Sequence, residues 1–204
     1  MPNIDPVAKA WEMSMAERVG KAVKDRRDKL GLTAQQLAAR TAELGYPINR
    51  VAISKIESNA RAGKIGLAEL TVLAAALDIP PVQLIFPKLV DGMVPVLPNR
   101  KMASISAIEW FNGEGSPIPR EVQPPVDHEE AVATNRASFD GRRDIRIAYK
   151  VASWRSYLGG LIRHPAFGDH PDPDRIKDAV EELEDAKEEA RHHGLIVDDG
   201  LDYA

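Results

Sequence analysis

The chain has no cysteine among its 204 residues. That excludes disulfides, thiolate metal sites and a cysteine nucleophile. No apolar run approaches twenty residues, and no charged-then-apolar leader follows Met1, so neither a membrane span nor a secretory signal is expected. A cytoplasmic location follows. The five histidines, His128, His164, His170, His192 and His193, show no His-Glu-x-x-His spacing. His164 and His170 fall in a proline-rich turn, so no metal site and no cofactor are predicted.

An apolar content of 44% is ordinary for a folded chain, and the length suits one domain or two small ones. Charge is distributed unevenly. From Ser14 to Ile65 eleven Lys and Arg stand against five Asp and Glu, a net of +6; the whole chain is −4, so the remainder carries −10. A basic domain on an acidic chain suits a protein that holds a polyanion at one end and repels it at the other.

The basic segment is patterned as helices. Thr33 is a good N-cap for a helix carrying Leu37 and Ala38 inward, and Gly45 with Pro47 stops it. Asn49 then caps a second helix whose inner face is Ala52, Ile53 and Ile56 and whose outer face is Arg50, Val51, Ser54 and Lys55. Arg can take a guanine edge bidentately, Lys can take guanine or phosphate, and Val can meet a thymine methyl.

At these residues the chain resembles the Cro/C1 (XRE, lambda-repressor-like) helix-turn-helix family, whose five-helix domain would run from about 15 to 86. The resemblance implies that Arg50, Val51, Ser54 and Lys55 read bases. It implies backbone contacts from Arg27, from Thr33, Ala34 and Gln35 at the start of the preceding helix, from Asn49, and from Arg61 and Lys64. Two departures stand out: Ala34 replaces a commonly polar residue, and the span from Thr33 to Asn49 is several residues longer than usual. The ending Pro80-Pro81-x-x-Leu84-Ile85-Phe86-Pro87 looks like actinobacterial or actinophage members.

Outside that domain, residues 1–14 read as a short N-terminal arm, with Trp11 packing on the first helix or touching a partner. Residues 87–125 carry seven prolines and read as a connector. Within it, 93–97 fits a short strand and 104–111 a short helix, whose Trp110 and Phe111 either pack on the neighbouring helices or form a docking patch. Residues 126–204 read as a helical hairpin, with one long helix or two shorter ones ending near Ile162 and another from Asp174 to His193. Ile147, Val151, Trp154, Leu158 and Leu161 have the a/d spacing of a coiled-coil seam. The acidic run from Glu181 to Glu189 reads as the wet face of the second helix, Glu184 and Lys187 lying at helical spacing.

The fold expected is therefore all-α: DNA-binding domain, connector, hairpin. A lone helix pair has little core, so the seam, with Tyr149 and Tyr157, is expected to meet a second copy and make a homodimer. Some repressors of this family carry an autocleaving Ser/Lys peptidase. Lys101, Ser104 and Ser106 lie in the connector, but the helical texture after Val126 does not match that β-rich module, and no enzyme is expected. The function expected is a transcriptional regulator that binds a double-stranded operator, a repressor of the phage-immunity kind. A rival expectation is an antitoxin or adaptor whose hairpin grips a protein and whose DNA binding only autoregulates.

Overall fold

A computed structural model describes residues 5–115, 142–163 and 172–198. The chain divides into two compact units, Met1–Gly115 and Ser116–Ala204. Among the described residues the protein is mostly helical, with one two-stranded sheet. None of the described helices is long and apolar enough to cross a membrane.

The first unit opens with α1, Pro6–Lys29, started by the Asp5 carboxylate, which accepts from the Val7 and Ala8 amides, and by proline at its first position. The expected arm is thus helix from Pro6 onward. Trp11 lies inside α1, where its indole Nε1 donates to the Pro95 carbonyl at 3.4 Å. Then come α2 (Ala34–Glu43), α3 (Arg50–Glu57), α4 (Leu67–Ala76) and α5 (Pro81–Ile85). α1 packs on α3 and α5, α2 on α3 and α4, and α4 on α5. Between them Val23, Leu37, Ile53, Ile56, Leu73, Leu77, Leu84 and Phe86 are buried.

Residues 87–115 belong to this unit and are no connector. β1 (Met93–Leu97) pairs antiparallel with β2 (Arg100–Ala103), Val94 opposite Met102, with a shift in register between Pro95 and Leu97. Val94 and Val96 turn inward, and α6 (Ser104–Phe111) follows directly. β2 corrects the all-α expectation. The Ser104 hydroxyl is buried and donates to the Phe86 carbonyl at 2.8 Å, and Phe111 meets Phe86 edge to face at 5.9 Å, so α6 packs onto the end of the helical core.

The second unit contains α7 (Arg143–Arg163) and α8 (Pro173–His192). Lys150 pairs with Glu189 at 2.9 Å and the Arg175 guanidinium reaches the Tyr157 hydroxyl at 3.4 Å, so the helices run antiparallel. Ile147, Val151, Leu158 and Leu161 of α7 are buried against Ala179, Leu183, Ala186 and Ala190 of α8. Large side chains on α7 meet three alanines and one leucine on α8, which lets the helices interdigitate. The acids of the run 181–189 are all exposed, as a wet face requires, while Lys187 within it is 1% exposed and donates to Glu184. Residues 126–141 and 164–171, where part of the first arm and the turn were expected, lie outside the described residues.

Six helices end the same way. A left-handed residue, Gly31, Gly45, Asn59, Asp78, Gly113 or Gly194, follows the C-cap. The amides there turn back onto the last helical carbonyls, as Gly45 does to Ala42 and Tyr46 to Thr41. These bonds satisfy carbonyls that the helix itself cannot. At the end of α4 two arginines add to them, Arg26 donating to the Leu77 and Asp78 carbonyls and Arg40 to that of Ala76.

Candidate nucleic-acid interface

The α2–α3 pair is fixed by side chains read from three short stretches. The Thr33 hydroxyl accepts from the Gln36 amide, and the Gln36 side chain accepts from the Thr33 amide at 2.8 Å, a reciprocal cap that starts α2. The Thr41 hydroxyl, fully buried, donates to the Ala38 carbonyl at 2.8 Å and accepts from the Ile48 amide at 3.0 Å. It pins the long turn to the end of α2. The Asn49 side chain accepts from the Ala52 amide at 2.9 Å and starts α3.

α3 is locked from behind. Ile53 and Ile56 are buried. At Gly20 the backbone of α1 comes so close that an added Cβ would stand 2.2 Å from the Ile56 carbonyl oxygen. Arg27 forks onto Glu57, Nε to Oε1 at 2.6 Å and Nη2 to Oε2 at 2.9 Å. Asn59 reaches the Met13 carbonyl and Lys9 that of Ala62, so the loop after α3 is tied to α1 as well.

What α3 turns outward is Arg50, Val51, Ser54 and Lys55, all exposed, Val51 to 61%. Gln35, Asn49, Arg50, Val51, Lys55 and Arg61 wall one shallow depression between α2 and α3. Ala34 is half-buried at the start of α2, Thr33 is exposed but occupied as the cap, and Lys64 is exposed on the loop that follows α3. Arg61 pairs with Glu69 at 2.5 Å, and Glu69 also accepts from the Gly66 amide at the start of α4. Burial by itself would push the Glu69 carboxyl up; the bonds from Gly66 and Arg61 outweigh it and hold the group below its ordinary range.

Arg27 is the correction in this set. Its side chain is 11% exposed, and Nε, Nη1 and Nη2 donate to Glu57, to Asp28 and the Leu32 carbonyl, and to Glu57 again. The hydrogen bond to Glu57 raises its pKa further. It holds α3 in place, where a phosphate contact was expected. A second correction falls in the other unit. Ile147, Val151, Leu158 and Leu161, expected at a dimer contact, are covered by α8 of the same chain, with Trp154 half-buried beside them. Apolar side chains cannot serve both surfaces at once.

Sequence reasoning missed three positions. Thr41 and Glu57 have partners set only by the tertiary fold. Gly20 carried a signal: glycine inside a helix costs up to about 1 kcal/mol relative to alanine, and is kept where two backbones approach. Compared with known protein families, with curated proteins and with solved structures, the chain shows no match.

Proposed function

We propose that this chain is a sequence-specific double-stranded DNA-binding regulator of the Cro/C1 type, acting as a transcriptional repressor of the phage-immunity kind. On this reading α1 to α5 form the five-helix DNA-binding domain, α2 and α3 are its helix-turn-helix, and α7 and α8 are the two arms of a C-terminal hairpin. The observation that carries it is the outward face of α3: Arg50, Val51, Ser54 and Lys55 all exposed on a helix whose cap, inner face and end are each fixed. Preorganised base-reading groups of this kind suit the major groove, with Gln35, Asn49, Arg61 and Lys64 near the phosphates.

Repression needs no chemistry, because a bound protein excludes polymerase by occupancy. A homodimer reading two half-sites about one helical turn apart doubles the contacts. With the seam already covered, the exposed side chains of α7, Tyr149 and Tyr157 together with Ile145 and Ile162, are open to a second copy. Selection of duplexes from a random library tests the proposal: one enriched motif is expected, a palindrome for the dimer, and no enrichment would refute it.

A second reading has its own support. α8 carries eight Asp and Glu, all exposed, an acidic surface suited to a basic protein partner. On this antitoxin or adaptor reading DNA binding only autoregulates. Co-purification of a stoichiometric basic protein with the full chain, lost when α8 acids are changed to glutamine and asparagine, is the result it requires.

A further inference from the structure

On the other flank of α1 lies a cavity of about 460 Å³, between that helix and the segment that leads from α5 into β1. Its size is within the range of about 300–1,000 Å³ typical of small-molecule sites. At about 100° per residue, the flank of α1 that carries Trp11 and Arg18 is nearly opposite the flank that carries Gly20 and Arg27. The cavity therefore faces away from the α3 surface.

Its lining is mixed in a particular way. Pro87 and Pro95, both part-exposed, give it an apolar side with Ala22 and Val94 buried beneath, and the exposed, unbranched Met93 stands at its lip. Arg18 supplies a half-buried guanidinium, which donates through Nε to the Ile85 carbonyl at 2.8 Å and through Nη2 to the Pro95 carbonyl at 3.4 Å. Its carbon lies 5.9 Å from the centre of the Phe86 ring. Among the described residues Nη1 has no acceptor, and no carboxylate pairs with Arg18. Burial lowers the Arg18 pKa, yet a guanidinium stays charged at neutral pH. A half-buried cation without a counter-ion is an unfavourable arrangement that an anion relieves. Lys21 and Lys88 stand exposed among the lining residues, opposed by Glu17 and Asp25, which limit how much negative charge the cavity accepts.

We propose that this cavity binds a small amphipathic molecule with one anionic head, a carboxylate or a phosphate monoester, and an apolar body. The head meets Arg18 and Lys88; the body lies on Pro87 and Pro95, with Met93 adapting to its shape. A polyanion is disfavoured by Glu17 and Asp25. The site is independent of whether α3 reads DNA.

The test is a heteronuclear NMR titration of the full-length protein with benzoate, phenyl phosphate and uncharged benzamide. Benzoate or phenyl phosphate is expected to move the Ala22 and Val94 amide signals and the Arg18 side-chain signal saturably, and benzamide is expected to leave them in place. The tighter of the two anions identifies the head group. Lys88→Ala and Lys21→Ala, at exposed positions where an unchanged thermal midpoint is expected, should together weaken binding about two- to fivefold. Equal shifts with benzamide, no saturation by about 10 mM, or full affinity in the double variant would each overturn the proposal.

Discussion

Arg27 in the last turn of α1 and Glu57 at the end of α3 form a two-bond fork, 2.6 and 2.9 Å, with both side chains about one-tenth exposed. Such parallel charge-assisted bonds fix orientation as well as distance. Arg27→Ala leaves the Glu57 carboxylate largely buried and unpaired, and is expected to cost about 2–4 kcal/mol in urea unfolding. Arg27→Lys recovers only part of that, because an ammonium cannot make the fork. An unchanged urea midpoint for both variants would reduce the pair to a surface contact.

Gly20→Ala forces a methyl against the Ile56 carbonyl oxygen, at a position with no flexible side chain to give way. Overpacking of this kind costs about 1–3 kcal/mol, more than the helix propensity that alanine regains. Because the clash falls on α3, any DNA affinity should drop with the stability. Thermal unfolding of the variant decides it: a raised midpoint would mean the two backbones are further apart than described.

Thr41→Val keeps the shape and removes the hydroxyl that serves both the Ala38 carbonyl and the Ile48 amide. The amide is then buried without an acceptor, at a cost of about 1–3 kcal/mol. Thr41→Ser should restore most of the loss. Hydrogen exchange at the Ile48 amide reports the event directly, and protection equal to that of the parent in Thr41→Val would contradict it.

Glu69 has a folded pKa held below its ordinary 4.5. As pH falls the unfolded chain therefore takes up the proton first. The stabilisation contributed by the ionised group is complete above that value and is lost as pH falls through the lower folded one. Glu69→Gln, whose amide oxygen can still accept from Gly66, should be less stable than the parent by about 1 kcal/mol at neutral pH. Below the carboxylate range the two should converge. A gap that stayed constant down to acid pH would exclude the ion pair as its source.

For the DNA reading, Arg50→Ala is expected to cost about 1–3 kcal/mol on the selected site and to relax base choice at one position. Lys64→Ala should weaken all duplexes alike and lower the slope of affinity against salt by about 1. Equal losses on selected and random DNA for both variants would remove the distinction between reading and positioning.

Much of the first unit was legible because its signals are local. Thr33 and Asn49 each sit beside the amides they cap, and the strand at 93–97 and the helix at 104–111 have the bounds that their residue patterns give. The start of α1 was readable too, since Asp5 before Pro6 is a cap and a first helical residue, yet the expected arm ran on to residue 14. β2 was not readable. Arg100-Lys101-Met102-Ala103 does not alternate, and it is strand because β1 lies beside it.

At the candidate site the outer face of α3 followed from helical periodicity, which sorts inside from outside but names no partners. Arg27 shows the limit, since its acceptor is thirty residues away. The α7 seam shows another: its spacing announces a buried stripe equally well for a helix of the same chain and for one from a second copy, and here the cover is α8.

The loop after α3 holds Ala62 at φ 52°, between Asn59 at 52° and Gly63 at 88°. Asn and Gly tolerate this backbone, whereas an alanine Cβ crowds the carbonyl and costs on the order of 1 kcal/mol. The chain thus forgoes stability that one atom's removal would return, at a position whose carbonyl, not its side chain, is bonded to Lys9. Ala62→Gly is consequently the first substitution for a hardier version of this protein, and an advantage of alanine there would lie in something other than folding.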